Sequence, residues 1–193
     1  MEQNEIKNDV IVEKKEPGFF KDTLRFTLIA LLIVVPFRIF IAQPFLVNGG
    51  SMEPTFEDGH YLIVDQVSYR FKTPERGSVL IFKYPVDPKK YFIKRVIGLP
   101  GDTVQIEQGV VTIINTEYPE GFKLKEDHIT LTKKDTFTKT VGENEYFVMG
   151  DNRAGSLDSR YWGNLQEKYI IGRPLVRLLP IQDIGFWPGD IKF

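Results

Sequence analysis

Cysteine is absent from the chain. Its absence removes disulfides, thiolate metal sites and every cysteine-protease mechanism together. It also fits an extracytoplasmic domain that does not rely on cross-links. Histidine is scarce: His60 and His128 are the two present. A multi-histidine metal site would need both plus carboxylates, and neither stands in a recognisable Ser-His-Asp context, so both read as surface or loop histidines and no metal is expected. A block of one charge is missing as well. With 25 Lys and Arg against 26 Asp and Glu the net charge is -1, and cations scattered along the chain leave no electrostatic footprint for nucleic acid. Internal repeats are also lacking, and 193 residues allow one moderate domain with a tail or a small insertion.

The first segment with a definite pattern is an apolar run. Met1 to Glu16 is polar, without apolar periodicity, and reads as disordered, within a leader of residues 1–23. From Leu24 to Ala42 the text is LRFTLIALLIVVPFRIFIA, which as a helix would span about 28 Å, the thickness of a hydrocarbon core. A transmembrane helix over 24–42 is therefore expected. Pro36 and Arg38 leave a buried core helix open; Arg38 stands near the end of the run, where a long side chain snorkels, and proline is tolerated in membrane helices. A cleavable signal peptide fits less well, because its leader would be long and Phe40 and Ala42 precede Gln43 where a small-x-small pair belongs. Lys7, Lys14, Lys15 and Lys21 precede the run and Arg25 stands at its start, while no Lys or Arg falls between Arg38 and Arg70. The positive-inside rule then puts the N-terminus in the cytoplasm and residues 43–193 outside it, at the cell membrane.

That remainder reads as β. HYLIVDQVSY, GSVLIFKY, YFIKRVIG, DTVQIEQGVVTIIN, NEYFVMG and YIIGRPLVRLL are short runs rich in Val, Ile, Tyr and Phe, divided by Gly, Pro, Asp and Asn. The polar stretch Asn115–Gly142, within 103–145, is expected to be a small cap or irregular insertion.

Three constellations carry chemistry. In NGGSMEPT, Asn48–Thr55, Gly49 and Gly50 permit a tight turn that presents the Ser51 hydroxyl; alone, Gly-Gly-Ser is more often a surface loop. In YFIKRVIGLPGD, Tyr91–Asp102, strand alternation puts Lys94 on the face of Phe92 and Val96. If that face is buried, desolvation can lower a lysine pKa by about 3 to 5 units and leave a neutral amine; alone, a snorkelling strand lysine is the plainer reading. In GDNRAGSLDSR, Gly150–Arg160, Asp151, Arg153, Asp158 and Arg160 can pair to brace a loop, and Ser156 can orient an amine; a polar surface loop is the alternative.

Taken in order, SMEPT, KRVIGLPGD and GDNRxxSxDSR resemble the type I signal peptidase family, the Ser–Lys serine proteases of peptidase family S26. RIFIAQPF, DGHYLIVD and RGSVLIFKYP support the likeness, which runs from about Phe37 to Pro180. The resemblance implies a mostly β fold: an antiparallel catalytic domain with a small inserted cap, preceded by one transmembrane helix. It implies Ser51 as nucleophile, Lys94 as general base and Ser156 as the serine that orients the amine. Gly49, Gly50 and Ser51 would form the oxyanion and substrate turn, with Gly49 standing where some members carry a hydroxyl donor. Arg95 with Asp151 and Asp158 with Arg160 would be bracing ion pairs. No cofactor is implied. The partners implied are signal peptides of exported preproteins, cut after small-x-small sites, and the lipid bilayer, with Phe45, Leu46 and Phe56 as candidates for an apolar membrane-facing surface; contact with the translocation machinery is left open. The family commonly has Asn where this chain has Gly155. The reticulum branch uses His at the position of Lys94, which favours a bacterial type or an organellar one of bacterial descent. Two rivals predict different features: a self-cleaving repressor-like Ser–Lys peptidase would carry a soluble DNA-binding arm, and a silent β module would not need Ser51, Lys94 and Ser156.

Overall fold

The computed structural model describes residues 18–40, 42–191 and 193. The leader reading of residues 1–17 lies outside them. The chain divides into two units, one ending at Phe37 and one running from Arg38 to Phe193. Helix α1, Phe19–Phe40, is 22 residues long, and its residues up to Phe37 belong to the first. Its described side chains stop at Val35, and among the described residues no helix is long and apolar enough to cross a membrane.

The second unit is built from strands. β1 (Ala42–Leu46), β2 (Tyr61–Asp65), β3 (Val79–Lys83), β4 (Tyr91–Gly98), β5 (Thr103–Glu107), β6 (Val110–Ile114), β7 (Phe122–Lys123), β8 (Phe137–Thr140) and β9 (Glu145–Met149) lead to a one-turn helix α2 (Ser159–Trp162). β10 (Leu165–Gln166), β11 (Ile170–Leu179) and β12 (Gly185–Phe186) complete it. One sheet has the order β1-β2-β11-β3-β4-β9-β10, with β12 also on β11; a second has the order β7-β6-β5-β8. Every pairing among the described residues is antiparallel.

Burial follows the sequence pattern. β2, β5 and β6 alternate buried and half-exposed positions, as strands with one face on a core must. β3 and β9 are central strands and nearly continuous apolar runs, and they are buried on both faces. The segment read as a small cap contributes a second sheet with its own core, in which Val104, Ile106, Val111, Ile113 and Leu124 pack with Ile97, Phe147 and Met149 of the first. A separate core of Val47, Met52, Phe56, Leu62, Val64, Val79 and Ile81 underlies the Ser51 turn. Phe56 is fully buried there, which corrects its reading as a membrane-facing residue: it sits inside the turn, where Met52 pairs with it.

Candidate active site

The Ser51 turn leaves β1 and is held by its own ends. Gly49 has φ +88°, a conformation glycine reaches without strain, and its N–H donates to Asp58 Oδ1 at 2.7 Å. Met52 anchors the far side in the core. β4 brings Lys94 alongside, in register with Leu80 of β3, and the two segments meet: Lys94 Nζ lies 2.7 Å from Ser51 Oγ.

Lys94 is only 3% exposed. Burial drives its pKa down to about 8, with the negative charges of Asp158 and then Asp151 opposing the fall. Among the described residues no carboxylate comes within ion-pair range of the amine. Instead Nζ donates to the Ile93 carbonyl at 2.9 Å and sits 5.2 Å from the Phe92 ring centroid. A neutral amine suits these surroundings: with one N–H on Ile93 it still has a lone pair to offer the serine hydroxyl.

Ser156 is not joined to the amine. Among the described residues its Oγ has no hydrogen-bond partner, and it is buried beside Gly150 and the Ser51 carbonyl. A β-carbon on Gly150 would lie 2.2 Å from Ser156 Oγ and 2.3 Å from Ser51 O, so glycine at 150 is what lets the two loops close. The lysine's direction is set here by Ile93 and Ser51.

The charged residues of Gly150–Arg160 form a buried lattice. Arg95, fully buried, donates to Asp151 twice, at 2.8 Å and 2.6 Å, and to the carbonyls of Gly77 and Gly189. Thr55 adds a hydroxyl to Asp151 at 2.5 Å, and His128 Nε2 lies 3.6 Å from the same carboxylate. Burial alone would raise Asp151, but the hydrogen bonds from Arg95, the nearby His128 ring, the Arg95 charge and the Thr55 hydroxyl outweigh it and hold the carboxyl well below the usual range. Asp158 caps α2, takes both arms of Arg160 at 2.8 Å, and accepts the Gly150 N–H. Glu126 grips Arg153 with both oxygens, and Asp135 takes Arg160 at 2.7 Å; both acids come from the inserted sheet region.

A groove of about 470 Å³ opens over the pair, lined on one side by Phe45 to Ser51 and on the other by Lys90 to Lys94, with Gly155 and Leu157 at its end. One wall is the end of β1 and the Ser51 turn, the other is largely the extended strand β4, over an apolar floor of Leu62 and Ile81, a shape that suits an extended peptide. Among the described residues no group of acids and histidines could hold a metal.

The family model for signal peptidase, peptidase S26, matches residues 20–179. The chain belongs to that family. It is a hydrolase of the signal peptidase I kind. The signal peptidase I V of Bacillus subtilis is 40% identical over 153 residues, covering 75% of this chain and 89% of the relative. Two relatives in Synechocystis, the probable signal peptidases I-1 and I-2, are 37% and 36% identical, covering 86% and 84% of this chain and 86% and 75% of their own.

Within this family member, sequence reasoning passed over several residues that the site uses. Thr55 and Asn152 lie inside the quoted motifs, so their positions were marked but their partners were not. His128 faces Asp151, and His60 is 5% exposed, its ring nitrogen accepting the Glu57 N–H. Both histidines stand in loops, as read, His60 buried and His128 half-buried. Burial, then the Arg177 charge, lowers the pKa of His60.

Proposed function

We propose that this chain is a membrane-anchored serine endopeptidase that removes signal peptides from exported preproteins, with Ser51 as nucleophile and Lys94 as general base. The 2.7 Å approach of a buried amine to Ser51 Oγ carries the reading. Neutral Lys94 takes the hydroxyl proton as Oγ attacks the scissile carbonyl, giving a tetrahedral intermediate. Its collapse forms an acyl-enzyme and passes the proton from the Lys94 ammonium to the leaving amine. The amine then deprotonates a water that hydrolyses the ester. General base help of this kind is worth about 10²- to 10⁴-fold. The substrate lies extended in the groove with small residues at the first and third positions before the cut, where larger side chains clash.

Membrane anchoring draws on the apolar run that starts at Leu24, whose residues up to Phe40 lie in α1, and on the domain itself. Register aligns Leu46 and Leu179 across Tyr61, so one sheet face carries exposed leucines from the groove to the end of β11. Ile181, Ile184, Phe186 and Trp187 continue the exposed apolar run along the chain, a surface suited to a bilayer interface. The N-terminus is cytoplasmic and the β domain lies on the outer side.

The full chain in detergent is expected to cleave a preprotein at an Ala-x-Ala site, and Ser51→Ala and Lys94→Ala are each expected to abolish cleavage with the fold retained. Cleavage surviving either substitution rejects the dyad.

A further inference from the structure

The lattice around Ser51 holds one residue that neither the dyad nor the ion pairs use. Asn152 reaches across 102 positions of sequence, and its Nδ2 donates to the Gly50 carbonyl at 3.1 Å. Its backbone N–H donates to the Ser51 carbonyl at 3.2 Å. The orientation of its amide is fixed independently, because Oδ1 accepts the Gly155 N–H at 2.8 Å, leaving nitrogen to face Gly50.

This places a clamp on one particular peptide group. The cis bonds among the described residues precede Pro54 and Pro180, so the Gly50–Ser51 peptide is trans and its N–H points opposite to its C=O. Holding the Gly50 carbonyl therefore holds the direction of the Ser51 N–H. That N–H has no protein acceptor among the described residues, so it is available as an anion donor beside the nucleophile.

The residue at 155 is tied to the same clamp. A β-carbon there would lie 2.9 Å from Asn152 Nδ2 and 3.1 Å from its Cγ and Oδ1. The space above Gly155 is occupied by the Asn152 amide, so any side chain at 155 must displace it.

We propose that Asn152 is a positioning residue that aims the Ser51 N–H at the oxyanion, and that Gly155 is the spacer that admits its amide. The inference rests on the reading of Ser51 as nucleophile. Removing an oxyanion donor outright costs about 10²- to 10³-fold in kcat; misdirecting one costs part of that, roughly 10- to 100-fold.

The experiment uses the full chain in detergent with a preprotein substrate and four variants: Asn152→Ala, Gly155→Ala, the double variant and Ser51→Ala. Asn152→Ala is expected to lower kcat roughly 10- to 100-fold with KM within about twofold. It is expected to weaken a peptide aldehyde, whose tetrahedral adduct on Ser51 mimics the intermediate, by the same factor, while affinity for an amidated product peptide and the pH midpoint stay fixed. Those last readouts separate aiming from general loosening of the site. Gly155→Ala is expected to lower kcat by a smaller factor and to add nothing when Asn152 is already alanine. An unchanged kcat in Asn152→Ala, equal losses in product and aldehyde binding, a moved pH midpoint, or additive effects in the double variant would each overturn the proposal. Cleavage by Ser51→Ala would instead remove the reading beneath it, whereas an inactive Ser51→Ala beside a full-speed Asn152→Ala removes this inference alone.

Discussion

Replacing Lys94 with methionine tests the burial of the amine through stability instead of catalysis. Methionine keeps the length and the apolar stem but never carries charge. In the unfolded chain the lysine titrates at its ordinary value of 10.5, and in the folded state at about 8. Between those values the unfolded state binds more protons than the folded one, so wild-type stability rises with pH across that window and is depressed by the full amount below it. At 1.36 kcal/mol per pKa unit, the depression amounts to about 3 kcal/mol at neutral pH. Lys94→Met is relieved of it. It also loses the contacts to Ser51 and Ile93, so the informative quantity is how the difference between the two proteins changes with pH. Urea unfolding of both at pH 7 and pH 10 is expected to show wild type gaining about 2 to 3 kcal/mol on the variant as pH rises, because other titrating groups cancel in the comparison. A difference independent of pH would show that the amine keeps its ordinary affinity for protons and is not desolvated.

Three further outcomes follow from the lattice. Asp158→Asn removes the charge that most strongly opposes the fall in the Lys94 pKa, so the kcat/KM–pH midpoint is expected to move to lower pH; an alkaline shift contradicts this. Arg95→Met leaves Asp151 buried beside the guanidinium's vacated place, and denaturant unfolding is expected to show a loss of about 3 to 5 kcal/mol, whereas a loss below about 1 would mean the pair is not desolvated. Glu126→Gln weakens the grip on Arg153, whose side chain is 4% exposed; a loss of about 1 to 3 kcal/mol is expected, with faster proteolysis within residues 124–136, and unchanged proteolysis would show that this contact does not hold the segment.

Much of this arrangement was legible in the chain text because its causes are local. Alternation in YFIKRVIG put Lys94 on the face of Phe92, and the ring lies 5.2 Å from the amine. The pairing of Asp158 with Arg160, two residues apart, needs only a capped turn, and Gly-Gly before Ser51 announced a tight turn. What could not be read depends on distant segments meeting. Glu126 finds Arg153 and Asp135 finds Arg160 through a sheet whose acids are indistinguishable in sequence from solvated ones. Phe56 looked like a surface aromatic beside the nucleophile, but the turn folds it inward beneath Met52. Ser156 stands in the right motif, yet a hydroxyl buried against Gly150 reaches no amine, and motif position alone says nothing of where its oxygen settles.

The most direct measurement is the titration of Lys94 itself, followed by NMR of the full chain carrying isotope-labelled lysine, with Lys94→Met used to assign the signal, alongside the pH dependence of kcat/KM. The lysine signal is expected to titrate near its folded value of about 8 and the cleavage rate to rise with the same midpoint, since only the uncharged amine accepts the Ser51 proton. A signal titrating at the ordinary lysine value of 10.5, or a rate whose midpoint does not follow the signal, would contradict the assignment of Lys94 as the base.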